Sequence, residues 1–255
     1  MKGLNKKMKP KILLASTLIL AIFISACSGG AASTEKAAAS SSQPTASVSE
    51  NNGDLKNISL DPANAANEKI SSAVGYIYEG LVSTQGSESM GKLAESYSIS
   101  DDGLDYIFNL RPGVVFHDDT SLNADVVVAN FNRWFDPADA AHGSNSYTAW
   151  VNAFGGFKGE LTSDGKSKSQ YDGIEKVNEL TVLVHLNTPD PEFLKKISDP
   201  AFSIISTAAL TSGEDGGSGP YKISSQTETS LKLEPFAGYW DAASVPSEGM
   251  EVPIK

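Results

Sequence analysis

Between Asp105 and Trp134 the spacing of apolar residues changes from two to nearly four, which restricts the fold more than any other feature of the chain. Tyr106, Phe108 and Leu110 alternate with polar neighbours, the mark of a strand with one buried face. Val126, Val127, Phe131 and Trp134 then recur at helical spacing, with Asn130 on the same stripe. An earlier alternation holds Tyr97 and Ile99, and the stretch SDDG (Ser100 to Gly103) between the two is a turn signal. The sequence therefore predicts a hairpin followed by a helix. Pro112-Gly113 predicts a turn and Val114 to Phe116 a short strand. Asn123 is placed to cap the helix, and Asp125 in its first turn complements the helix dipole.

The same reading extends along the body. After an Asp61-Pro62 turn, Ile70, Val74, Ile77, Tyr78 and Leu81 predict an amphipathic helix ending near Gly80. Residues 171–189 predict a second hairpin, with Ile174 and Val177 on one arm and Val182, Val184 and Leu186 on the other. Residues 191–206 read as a short helix and then a strand. The Gly-rich turn Gly216 to Tyr221 precedes two strands, Tyr221 to Ser225 and Ser230 to Glu234, and residues 155–173 read as a surface loop. Hairpins mixed with helices, without an internal repeat, make the fold class α+β.

The first 54 residues are of another kind. Five lysines precede a 13-residue apolar run, Ile12 to Ile24, which suits the core of a secretory signal and is short for a bilayer span. The run ends in Ile24-Ser25-Ala26-Cys27, which resembles the bacterial lipobox, so residues 1–26 are expected to be a signal peptide and Cys27 the lipidated residue. Cys27 is the only cysteine, which excludes an intrachain disulfide. Residues 28–54 are rich in Ala, Ser and Gly and lack aromatics, a composition that cannot offset its own ordering entropy; with Cys27 they read as a flexible spacer. The folded body then covers residues 55–255.

Removal of the five signal-peptide lysines moves the formal net charge from −11 to −16. An acidic body argues against nucleic acid and against adhesion to anionic lipid, leaving the lipid anchor as the expected attachment to the outer face of the cell membrane. No GxSxG or HExxH context is present, and the three histidines are scattered, so neither an enzyme nor a cofactor or metal site is expected. His117-Asp118-Asp119 puts an imidazole beside two carboxylates, but neighbours at a strand end point to opposite sides and do not converge on one ion.

Several stretches stand in a familiar order: SLDPA, YIYEGLV, LAESYSISDDGLDYIFNLRPGVVFHDDTSLNADVV, VNELTVLVHLNTPDPEFL, and GSGPYKI with LKLEPFAGYW. Together they resemble the extracytoplasmic solute-binding proteins of family 5, the peptide-, nickel- and oligosaccharide-capturing components of ABC importers. The resemblance runs from Ile58 to Asp241. It implies the first lobe of a two-lobed, periplasmic-binding-protein-like fold that closes over its ligand, with residues of about 79–200 forming an inserted subdomain and the second lobe missing. It also implies permease and ATPase subunits as partners and a small solute, an oligopeptide first, nickel or an oligosaccharide as alternatives. The loop holding Asn64, Ala66 and Glu68 would line the cleft, with Ser146 and Tyr147 approaching it from the inserted subdomain and Trp150 nearby. Asn67 in that loop is alternatively a helix cap. Trp134 and Trp240 read as core, and GGSGPY as a structural turn. The chain departs from the family pattern at Asp119, where glycine is usual and φ is expected to be positive, and in the Arg-Asn pair missing before the final aromatics. Family members are longer, which leaves a fragment, a truncated product or a non-binding remnant acting as an interaction lipoprotein as the alternative reading.

Overall fold

Asp102 organises the hairpin expected around Ser100 to Gly103. Its carboxylate accepts hydrogen bonds from the Ser100 hydroxyl at 2.6 Å and the Leu104 amide at 3.1 Å, and Gly103 takes φ +72°. The strands so joined are β3 (Ala94–Ile99) and β4 (Asp105–Leu110), in register Tyr97 to Phe108 and Ile99 to Tyr106. In this computed structural model, which describes residues 60–64, 71–245 and 247–254, β4 pairs in turn with β6 (Thr181–Leu186), and β6 with β5 (Tyr171–Asn178). The result is an antiparallel sheet of order β3-β4-β6-β5.

One face of that sheet is buried because its apolar residues fall in register. Tyr106 lies opposite Val184 and Phe108 opposite Val182, all buried, while Asp105 and His185 pair on the other face. Helix α2 (Ala124–Phe135) covers the buried face with Val127, Phe131 and Trp134. Burial of each such aromatic stabilises the fold by about 1.5–3 kcal/mol. Asn123 caps α2, its side chain accepting from the Val126 amide at 3.0 Å, and Asp125 sits in the first turn.

A second apolar cluster lies in another sheet, β7 (Tyr221–Gln226), β8 (Ser230–Pro235) and β9 (Met250–Pro253). Helix α1 (Ser71–Ile77) and helix α5 (Thr207–Ser212) pack there through Val74, Ile77 and Ala209 against Tyr221, Leu231 and Leu233. The Gly216–Tyr221 turn belongs to this packing: the Gly219 amide donates to Ile77 O at 2.8 Å, and a side chain on Gly217 or Gly219 would collide with α1 carbonyls. The chain passes between the two clusters at Glu79 and at Ile204, which form an antiparallel bridge, Ile204 N donating to Glu79 O at 2.9 Å.

Three local expectations are corrected. Val114 to Phe116 forms no strand, only a bridge between Val115 and Ser121, because the chain turns back on itself at once and the Phe116 amide bonds Thr120 O at 2.8 Å. Beyond α4 (Phe193–Ile197) the predicted strand is replaced by a 3₁₀ turn, Pro200–Phe202, and by α5. Asp199 and Ser206 cap these two, accepting from Ala201 N and Ala209 N, and the extended stretch between them pairs only through the single bridge at Ile204. The loop expected to reach residue 173 ends where β5 begins at Tyr171. The sequence reading also passed over the hairpin β1 (Val82–Gln85) and β2 (Glu88–Gly91), over helix α3 (Thr148–Phe154), and over β9.

Candidate functional site

The site is built around a charge on α2 that the fold buries. Arg133 is 1% exposed, and an unpaired charge there would be prohibitively costly. The Asp61-Pro62 turn supplies its partner: Asp61 Oδ2 accepts from Nη1 at 2.5 Å and Oδ1 from Nη2 at 3.0 Å, a two-pronged pair. Asp61 also holds its own loop, accepting from the Ala63 amide through Oδ1 and from the Asn64 amide through its carbonyl. On the other side, Arg133 Nη1 lies 3.4 Å from the Tyr147 hydroxyl, and the Arg133 carbonyl accepts from His142 Nδ1 at 2.7 Å.

These ties bring together two segments far apart in sequence. Asn64 donates to the Asn145 side chain at 3.4 Å, and Asn145 in turn donates to the Tyr147 hydroxyl at 3.2 Å. Tyr147 itself has φ +36° and ψ +51°, a left-handed conformation unusual for a bulky side chain. Such a residue costs about 1–3 kcal/mol and persists only where its surroundings over-determine it. Ser146 beside it is exposed, its hydroxyl 3.2 Å from Thr148 Oγ1. Trp150 lies in the core: its indole donates to Gly156 O at 3.2 Å, and its ring packs among Trp134, Phe154, Tyr171 and Phe202. Its side chain thus offers no face to a ligand. Ala66, Asn67, Glu68 and Cys27 lie outside the described residues.

The outer face of α3 borders an open cleft of about 540 Å³ whose other side is α4, lined by Ala149, Asn152 and Ala153, by Glu192, Lys195 and Lys196, and by Asp199 and Phe202. That volume is within the usual range of small-ligand sites. A smaller cavity of about 170 Å³ shares Asp199 and reaches Gly75, Tyr78 and Glu79.

Glu79, which the sequence reading did not single out, is the second organising residue. Its buried carboxylate accepts from the Tyr239 hydroxyl and the Trp240 indole, each at 2.7 Å, and from Lys92 at 3.1 Å. Burial, and then the bond to Glu79, push the Tyr239 hydroxyl far above its ordinary range. Arg111 lies over the Trp240 ring at 3.8 Å, so Trp240 is bound on edge and face. A carboxylate directly after an apolar helical stripe was the available signal. Arg133 had a comparable one, a cation within the apolar stripe of α2.

His117 and Asp118 point apart. His117 Nδ1 lies 2.9 Å from Asp215 Oδ1 and Nε2 3.1 Å from the Gly219 carbonyl, whereas Asp118 accepts from Ser206 Oγ at 2.5 Å and from Thr120. Burial pushes the Asp118 carboxyl up, but the Ser206 and Thr120 hydrogen bonds outweigh it and hold the group below the usual carboxylate range. Asp119 has φ +63°, as its place in a glycine position implied. Among the described residues no three His, Cys, Asp or Glu side chains are gathered as a metal would require.

Comparison with solved structures defines the class first. The chain superposes on the periplasmic binding protein DppA from Helicobacter pylori, solved with the peptide STSA, with TM-score 0.62 and 26% identity over 76% of this chain and 40% of that one. HbpA2 from Haemophilus parasuis gives TM-score 0.60 and 26% identity over 77% and 41%. The fold is thus part of a periplasmic-binding-protein lobe. The family follows: the chain belongs to the bacterial extracellular solute-binding proteins, family 5, whose middle-region profile matches residues 88–253. Curated relatives include the glutathione-binding protein GsiB of Pectobacterium atrosepticum, 35% identical over 72% of this chain, and that of Escherichia coli K12, 34% identical over 71%. The chain spans 33% of the length of each.

Proposed function

We propose that the chain forms part of the solute receptor of an ABC importer and captures peptides on the outer face of the cell membrane, where lipid on Cys27 tethers it. Membership of family 5 across residues 88–253 carries the reading. Peptide is favoured as the solute because the GsiB relatives are named for glutathione, itself a tripeptide, and DppA was solved with STSA. Asn64, Ala66, Glu68, Ser146 and the backbone at Tyr147 are the contact groups. Polar groups suit an extended peptide, whose main chain needs hydrogen-bonding partners along its length. Trp150 acts from behind, supporting α3. Residues 1–26 are the signal peptide, 27–54 the tether and 79–200 the inserted subdomain, and the permease and ATPase of the importer are the partners.

Calorimetry of the full chain with glutathione, with STSA and with Ni²⁺ tests the reading. Heat from either peptide and none from Ni²⁺ is expected; heat from Ni²⁺ alone would replace peptide by metal as the solute. For the tether, membrane retention that survives Cys27→Ala would exclude lipid attachment at that residue.

A further inference from the structure

We propose that Arg133 is a positioning residue for the ligand surface: it never touches the solute, but it fixes the Asn64 loop and the Asn145–Tyr147 segment relative to each other. The inference rests on the assignment of those two segments to the ligand site. Arg133 belongs to neither segment and bonds both, reaching Asp61 through two nitrogens at 2.5 and 3.0 Å and the Tyr147 hydroxyl at 3.4 Å. Its own direction is set by Asn130, whose Oδ1 accepts from Nε at 3.3 Å. Asn130 is anchored in turn to the Ile205 backbone, donating to its carbonyl at 2.8 Å and accepting from its amide at 3.2 Å. The guanidinium is therefore held from below by α2 and the 205 segment, and presents its remaining donors to the two site segments above.

The fork matters as much as the charge. Five donors in a fixed plane allow one side chain to bond a carboxylate twice and a phenol once, which an ammonium on a flexible stem does not reproduce. Tyr147 shows what the arrangement maintains. Its left-handed backbone is unfavourable by itself, and its hydroxyl is gripped by Arg133, by Asn145 at 3.2 Å and by the Ala141 carbonyl at 3.3 Å. Loss of the Arg133 contacts removes one tie on each side of the Asn64–Asn145 link, and the surface is less well pre-formed when solute arrives.

The test compares amide hydrogen exchange and peptide calorimetry in the full chain for wild type, Arg133→Lys and Asp61→Asn. Both variants keep a polar partner at each position, and either one suffices if the other fails to fold. The expected result is faster exchange confined to residues 60–64 and 141–148, with β4 and β6 protected as in wild type. If the competent arrangement falls to about a tenth of molecules, affinity for glutathione or STSA drops about tenfold. Unchanged exchange in both segments would overturn the proposal, and so would loss of protection throughout β4 and β6, which would make Arg133 a general stabiliser. Should wild type bind neither peptide, the ligand assignment fails, and the exchange pattern still decides whether Arg133 positions the segments.

Discussion

The indole of Trp240 donates to Glu79 at 2.7 Å, joining the stretch just after α1 to a residue 161 positions later. With the Tyr239 hydroxyl and Lys92 on the same carboxylate, the bond sits beside the place where the chain crosses between the two apolar clusters. Glu79→Ala leaves the buried Tyr239 hydroxyl and the half-buried Trp240 indole without their acceptor, and the partly exposed Lys92 without its partner. A loss of about 1–3 kcal/mol in urea unfolding is expected, and less for Glu79→Gln, which retains one acceptor oxygen.

Asn123→Ala removes the only side-chain cap of α2 and is expected to cost about 1 kcal/mol, read from the denaturation midpoint at unchanged slope.

Trp134 and Trp150 share a core but differ in what they support. Trp134→Ala should destabilise by about 3–5 kcal/mol through the cavity left under α2. Trp150→Phe should preserve peptide affinity while lowering the melting temperature, since its ring faces the core and the change loses the N–H bond to Gly156 and part of the ring's packing.

Asp119→Gly places a residue free of Cβ where φ is +63°. Relief of the left-handed penalty is opposed by a more flexible unfolded chain, and a net gain of about 0.5 kcal/mol is expected from thermal unfolding. A loss would show that the aspartate side chain does more than tolerate its turn.

Asp118 gives a pH dependence whose sign is fixed. Its folded carboxyl titrates below the unfolded one, so its contribution is present above the unfolded value, about pH 3.9, and is lost as pH falls through the lower folded value. Asp118→Asn should therefore flatten the acid limb of the stability curve below about pH 4 and leave its shape at neutral pH unchanged.

Strong periodicity made much of this fold legible in the sequence. Tyr106, Phe108 and Leu110 marked β4, and Val126, Val127, Phe131 and Trp134 marked α2, because each element buries one whole face. Elements stabilised by tertiary contacts were missed. Residues Val82–Gln85 and Glu88–Gly91 are short and mostly exposed, so their pairing leaves little hydrophobic pattern. Helix α3 starts from a left-handed Tyr147 with no side-chain cap, and so lacked the usual start signal. The site was half legible. Asn64 and Ser146-Tyr147 are proposed through family resemblance, whereas Arg133 and Glu79 act as buried ions, whose partners Asp61, Tyr239 and Trp240 lie at separations that no local pattern encodes.

The bridge between Glu79 and Ile204 has a consequence for modularity. Everything between these residues enters and leaves the second cluster through two hydrogen-bonded neighbours, so the intervening block is a loop closed at its own base. A segment with adjoining ends can be removed or exchanged without stretching the chain that remains. A short turn in its place would keep α1 in line with Ile205, and a different block with ends at the same spacing would graft on without a linker. The host would still have to do without what the block supplies across the junction, above all the Asn130 bonds to Ile205 and the His117 contact with Asp215.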